Sequence, residues 1–251
     1  MVYSCVMKDC IAIFGAVKEE IAGVKKAMNI SDRIRLEKSN VWTGKWGNKN
    51  LILVLTGVGR QRAKGSALQV VERFQPKVLL SIGYAGGVQN GLNVGDLILA
   101  NSIANESKER KKYFTDTIWL SRAQEVPVDK NIKKVVGGLL TVNQVIHDTS
   151  EKQELGKNYR VQAVEMESWE IAKVADEKNI PFFSVRVISD RMDQKVLDSS
   201  SFLDSEGEIS RLKAGWYVLT HPSSIGSAFS LRTQILFANQ TMTRFLKELL
   251  N

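Results

Sequence analysis

Short apolar runs alternate with segments of helical period along most of this chain, and that alternation restricts the fold more than any other feature. Residues 10–16 (CIAIFGA), 41–46, 51–56 (LILVLT), 78–83 (VLLSIG), 97–103 (LILANSI), 162–166 and 182–189 (FFSVRVIS) each read as a strand. Between them, Ile21, Val24 and Met28 share one helical face. Ala63, Ala67, Val70, Val71 and Phe74 recur at i, i+4, i+7, i+8 and i+11 until Pro76 ends the pattern. A helix is expected over 167–178, and a closing helix over 228–250 gathers Ile235, Ala238, Met242, Phe245, Leu246 and Leu249. Strands separated by helices predict an α/β chain, a mixed sheet with helices on both faces. No repeat, composition break or Pro/Ser-rich linker interrupts the 251 residues, so one domain over 1–251 is expected.

Charge narrows the choice of partners. The net charge of +8 arises entirely in the first half: residues 1–125 carry 19 Lys and Arg against 11 Asp and Glu, and residues 126–251 carry 16 of each. The densest run is Lys108-Glu109-Arg110-Lys111-Lys112. These charges are scattered and lack interleaved aromatics, which argues against nucleic acid. A solvated face, or attraction to an anionic ligand or lipid surface, is the simpler reading. Cys5 and Cys10 are too few and too close for a disulfide framework or a metal site, and read as reduced thiols of a cytoplasmic protein. Lys8 and Asp9 break the N-terminal apolar stretch, so no signal peptide is expected. The uncharged run 78–95 holds five glycines, and the run 214–231 holds His221-Pro222-Ser223-Ser224; neither suits a membrane-spanning helix.

Glycine-rich turns follow three of the strands: Gly15-Ala16, Gly57-Val58-Gly59 and Gly83-Tyr84-Ala85-Gly86-Gly87. Glycine lets a backbone approach a ligand closely, and ligands sit at strand ends in open α/β sheets. None of the three matches a dinucleotide or P-loop pattern. Carboxylates also gather at strand ends, in Glu19-Glu20, in Val164-Glu165-Met166-Glu167 and in Ile188-Ser189-Asp190. Brought together, they form an acid–base set; kept apart, Glu19, Glu20 and Glu165 are simply charges favoured at helix starts. Trp169 reads as a core residue on a helix face, and His147 and His221 read as structural.

Four segments, IAIFGAVKEE (11–20), TGVGRQRAKGSAL (56–68), SIGYAGGVQNGLNVGDLILA (81–100) and VEMESWEIAKVADEKNIPFFSVRVISD (164–190), resemble the nucleoside phosphorylase family. The likeness is to its methylthioadenosine/S-adenosylhomocysteine nucleosidase branch. FLDSEGEISRL (202–212), Pro222 and the long terminal helix are instead similar to the tail of hopanoid-associated phosphorylases. The resemblance implies a three-layer α/β/α sandwich around a central mixed sheet, no metal, no cofactor, and cleavage of a purine N-glycosidic bond. It implies that Asp190, supported by Ser189, serves purine N7, that Glu167 holds the ribose hydroxyls, that Met166 packs on the sugar, and that Glu20 orients or deprotonates water. Glu165, Tyr84, Ala85, Gly86, Val145 and Arg186 complete the expected substrate contacts. Tyr84 stands where the nucleosidases commonly carry a small serine. Val145, in VNQVI (142–146), stands where an aromatic usually stacks on the base. Residues 104–125 align with nothing in the family. Hydrolysis of a 5′-substituted adenine nucleoside is the leading expectation. The alternative is phosphorolysis of a lipid-linked nucleoside, with phosphate as co-substrate held by Arg60 or Arg186. The joint presence of Glu20, Glu167 and Asp190 argues against a non-catalytic binding protein on this fold. By analogy, at least a homodimer is expected, with peripheral contact to an anionic membrane surface as a further expectation.

Overall fold

Side-chain parity along the first strand sets the layers of the molecule. In the computed structural model, which describes residues 9–37, 39–107, 111–194 and 225–251 (side chains of the last segment from 233), all six residues of β1 (Cys10–Gly15) are buried. Cys10, Ala12 and Phe14 point to one face of the sheet; Ile11 and Ile13 point to the other. A strand buried on both faces reads as an unbroken apolar run, which is why CIAIFG stands out in the sequence.

The elements follow in the order α1 (Lys18–Ala27), β2 (Asn29–Leu36), β3 (Ser39–Trp46), β4 (Lys49–Leu55), α2 (Arg60–Phe74), β5 (Val78–Gly87), β6 (Leu97–Asn105), β7 (Lys112–Phe114), α3 (Thr117–Glu125), β8 (Lys134–Thr141), α4 (Thr149–Tyr159), β9 (Ala163–Glu165), α5 (Ser168–Glu177), β10 (Phe182–Asp190) and α6 (Ile225–Leu250). The face of Phe14 is covered by α2 and α5, through Ala63, Ala67, Val70, Phe74, Ala172 and Val174. The face of Ile13 is covered by α1, α3 and α6, through Ile21, Val24, Ala123, Ala238, Met242 and Phe245. These two layers of helices enclose one mixed sheet of ten strands, as the sequence implied.

The sheet does more than lie flat between them. Its order is β10-β6-β8-β9-β5-β1-β4-β3-β2, and β10 also pairs with β5, so five strands close into a ring from which β1 to β4 extend. β5 therefore has three neighbours: β1 and β10 in parallel and β9 antiparallel, the last at Gly86 and Gly87. Near its end β10 slips register against β5: Ile188 pairs with Ala85 and Asp190 with Gly86, leaving Ser189 as a bulge. A bulge bends its strand and re-aims the residue that follows.

Five elements escape the periodicity reading. β2 is an edge strand with exposed residues, so NISDRIRL shows no alternation. β7 has three residues, and α3 is a short helix capped by Asp116, whose side chain accepts from Trp119 N at 3.0 Å; both are too short to show a period. β8 (KVVGGLLT) hides behind Gly137-Gly138, and a Cβ at Gly137 would come within 2.3 Å of the Gln162 side chain. α4 buries only Lys152 and Gly156 and so lacks an apolar stripe. Trp169 is buried against Tyr113, with ring centroids 4.6 Å apart, as expected of a core residue. Cys10 is a buried free thiol. Cys5, Lys108, Glu109, Arg110, His221, Pro222 and the 202–212 tail lie outside the described residues.

Candidate active site

The ends of β1, β5, β9 and β10 converge, and each delivers one part of the site. Gly15 ends β1 and the chain turns into α1, so that Glu20 in the first helical turn folds back over the strand end. Glu20 Oε2 accepts from Ala16 N at 2.6 Å and Val17 N at 3.1 Å, and Oε1 accepts from Tyr84 N at 2.8 Å. Glu20 can reach that position because residue 83 is glycine: a Cβ there would stand 2.3 Å from Glu20 Oε1. Burial pushes the Glu20 carboxyl above the usual carboxylate range, against the opposing pull of Arg186 and the three backbone donors.

Glu165, Met166 and Glu167 leave β9 and start α5. Their side chains divide sharply. Glu165 is buried, and its Oε2 accepts from Arg186 at 2.7 Å, Ser168 N at 2.8 Å and Glu167 N at 3.0 Å, while Thr141 Oγ1 donates to Oε1. It thereby caps the first N–H groups of α5, which no side chain at the cap position serves. Arg186, 2% exposed on β10, also donates to Ser81 Oγ at 2.9 Å and Ser168 Oγ at 2.8 Å. The expected substrate contacts through Glu165 and Arg186 are thus corrected. Both lie beneath the site as a buried, hydrogen-bonded ion pair that fixes the turn above them. Glu167 is the carboxylate that the turn presents. Its Oε1 accepts from Gly59 N at 2.7 Å, at the start of α2. Burial first, and then the charges of Glu165 and Glu20, push it up to about 8. Met166 is half-buried and leans on the cluster of Leu140, Ile146 and Val164.

Asp190 closes the other side. The Ser189 bulge places Ser189 Oγ 2.8 Å from Asp190 Oδ1 and 3.3 Å from Ala85 O. Asp190 Oδ2 would be 3.0 Å from a Cβ at residue 86, so Gly86 leaves room for this carboxylate. The sequence reading missed its partner: Lys152 of α4, 1% exposed, meets Asp190 Oδ2 at 2.5 Å. A lone lysine in the polar segment TSEKQELGKNY carries no signal that could have revealed this pairing.

Two expected contacts are less direct. Tyr84 packs its ring against the α1 and α6 face, and its hydroxyl is buried without a hydrogen-bond partner. Burial, and then Glu20 and Glu19, raise that hydroxyl well above the ordinary tyrosine range. Val145 lies half-buried in the loop between β8 and α4. His147, in the same loop, is half-buried. Arg60, the other arginine considered for phosphate, is paired with Glu170 at 2.7 Å. No group of three His, Cys, Asp or Glu among the described residues is placed to hold a metal ion.

The 5'-methylthioadenosine/S-adenosylhomocysteine nucleosidase of Staphylococcus epidermidis is 27% identical over 210 residues, covering 77% of this chain and 92% of that protein. The nucleosidase of the same name from Listeria welshimeri is 28% identical over 204 residues, covering 74% and 88%. Among solved structures, the Neisseria meningitidis nucleosidase in complex with methylthio-immucillin-A superposes with a TM-score of 0.76 at 18% identity, covering 96% of this chain and 98% of that one. The futalosine hydrolase of Helicobacter pylori gives 0.77 at 20%, covering 96% and 97%. The family model described as Phosphorylase superfamily matches residues 10–214, and this chain belongs to that superfamily.

Proposed function

We propose that this protein hydrolyses the N-glycosidic bond of a purine nucleoside, with a 5′-substituted adenine nucleoside as substrate. One observation carries the reading. Glu20, the expected water-side base, is held by three backbone N–H groups beside Glu167, while Asp190 stands apart from it, three residues further along the same end of β5, at Gly86. As the C1′–N9 bond stretches, positive charge develops on the sugar and negative charge on the base. Glu167 accepts from the ribose hydroxyls, Met166 packs under the ring, and the neighbouring carboxylates stabilise the cationic sugar. Glu20 takes a proton from the attacking water, and its raised basicity suits that task. Asp190 serves N7 of the departing purine.

Phosphorolysis has no comparable support. Arg60 and Arg186, the two arginines considered for phosphate, are already engaged with Glu170 and Glu165. A phosphate beside Glu20 and Glu167 would face repulsion in a poorly solvated site. The curated relatives named above are nucleosidases, which favours water as the nucleophile.

The finer expectations belong to the same reading. The protein works in the cytoplasm, where the buried Cys10 thiol stays reduced. It assembles as at least a homodimer, with Phe114 and Ile118, 75% and 62% exposed, as candidates for coverage. The positive surplus of residues 1–125 would draw it to anionic lipid. Base release from a nucleoside panel, assayed with and without phosphate, tests the central claim: free ribose products and no phosphate requirement are expected. A strict phosphate requirement would overturn hydrolysis.

A further inference from the structure

α4 is an unusual helix because the two side positions it buries are a lysine and a glycine. They lie one turn apart, on one face. At Gly156 a Cβ would stand 2.3 Å from Val88 O, so the missing side chain lets α4 press against the chain just beyond β5. Gln89 Nε2 ties the same spot by donating to Gly156 O at 3.1 Å and Val161 O at 2.7 Å. That close approach carries Lys152 to Asp190. An ammonium is seldom fully buried unless paired, and Lys152 has three acceptors for its three protons: Asp190 Oδ2 at 2.5 Å, Arg191 O at 3.1 Å and Gln194 O at 3.1 Å. Two of these are amide carbonyls, which cannot take a proton from an ammonium. The carboxylate can.

We propose that Lys152 is a positioning residue for the departing base, holding Asp190 in place and replenishing, through it, the proton that N7 receives. The proposal rests on the nucleosidase reading and adds the source of the proton. Asp190 with Ser189 on Oδ1 and Lys152 on Oδ2 is arranged as an acceptor at both oxygens. A carboxylate so held has no proton of its own to give, and the adjacent ammonium supplies it. When the C1′–N9 bond breaks, its electron pair passes to the purine. One N–H bond of Lys152 breaks, the proton crosses the Asp190 carboxylate, and one N–H bond forms at N7. Asp190 ends as the anion it was, and Lys152 ends as a neutral amine. At the other end, water gives its hydroxyl to C1′ and a proton to Glu20. Release of that proton to solvent and uptake of one by Lys152 restore the starting state.

The test is the dependence of rate on leaving-base basicity, measured with 5′-methylthioribosides of purines running from adenine to the less basic 6-chloropurine. Where a proton is supplied, basicity matters little, so the wild type should give a shallow slope of log(kcat/KM). Lys152→Met should lose roughly 10²–10³-fold with adenine and less than about 10-fold with the poorest base, a much steeper slope. The slope is a ratio within one preparation, so partial unfolding of the variant does not enter it. Lys152→Arg keeps the charge beside Asp190 but does not release a proton; it should retain KM and share the steep slope. Parallel slopes for wild type and Lys152→Met would overturn the proposal, and so would a wild-type slope in Lys152→Arg. Absence of base release by the wild type from every member would instead overturn the nucleosidase reading itself.

Discussion

At the β1 end of the site, Glu20 and Glu167 face each other's charge with one guanidinium beneath them, and that guanidinium is already engaged by Glu165. At the β10 end, Asp190 has a buried ammonium of its own. Both ends present carboxylates, yet burial acts on them in opposite ways. Where no cation is dedicated to the group, desolvation and like charge raise its affinity for a proton. Where an ammonium is dedicated to it, the anion is matched, and the pair is stable only as a pair. An end whose carboxylates have a raised affinity for protons fits the proposed task of taking one from water. An end with a matched pair suits a leaving group that must collect a proton.

The contrast can be broken at either end, and the largest effect belongs to Glu20. Glu20→Gln cannot accept a proton from water, so hydrolysis should fall by about 10⁴-fold. Nucleoside binding, followed by calorimetry, should persist; a variant with more than a tenth of wild-type turnover would remove Glu20 from the mechanism. Asp190→Asn comes next, with turnover lowered roughly 10²–10³-fold. Because the amide leaves the Lys152 ammonium without a counter-charge, stability should also fall by about 3–5 kcal/mol in denaturant titrations. An unchanged midpoint would show that the pair is not matched in the way described.

The smallest effect is a pH slope. Glu167 binds a proton in the folded chain up to about 8, whereas in the unfolded chain it loses that proton near 4.5. Its contribution to stability is therefore fully present below 4.5 and is lost as pH rises through about 8. Glu167→Gln should flatten that decline between pH 5 and pH 8.5. Identical pH profiles for the two proteins would contradict the raised value.

Much of this was legible in the residues, for reasons that differ from place to place. β1 and β4 are buried on both faces and betray themselves as unbroken apolar runs. α2 and α5 show their stripes because they lie on the sheet. α4 and β2 could not be read: one buries a lysine and a glycine, and the other faces solvent. The carboxylates at the strand ends were visible as residue types, but their division of labour was not. Glu165 and Glu167 are two residues apart in one turn, and only the position of Arg186, twenty-one residues from Glu165, decides which is buried beneath the site and which is presented. Lys152 is thirty-eight residues from Asp190, and nothing local marks it.

The last residues of β5 have a consequence for how this protein can change. Gly83 makes room for the Glu20 carboxyl, and Gly86 makes room for that of Asp190. Three residues of extended chain span about 10 Å, so backbone, rather than side chains, sets the gap between the two carboxyl groups. A single inserted residue would put one glycine out of step and reverse which face each position serves. Tyr84 and Ala85, between the two fixed points, are free of that constraint. Their side chains can change while the spacing stays locked.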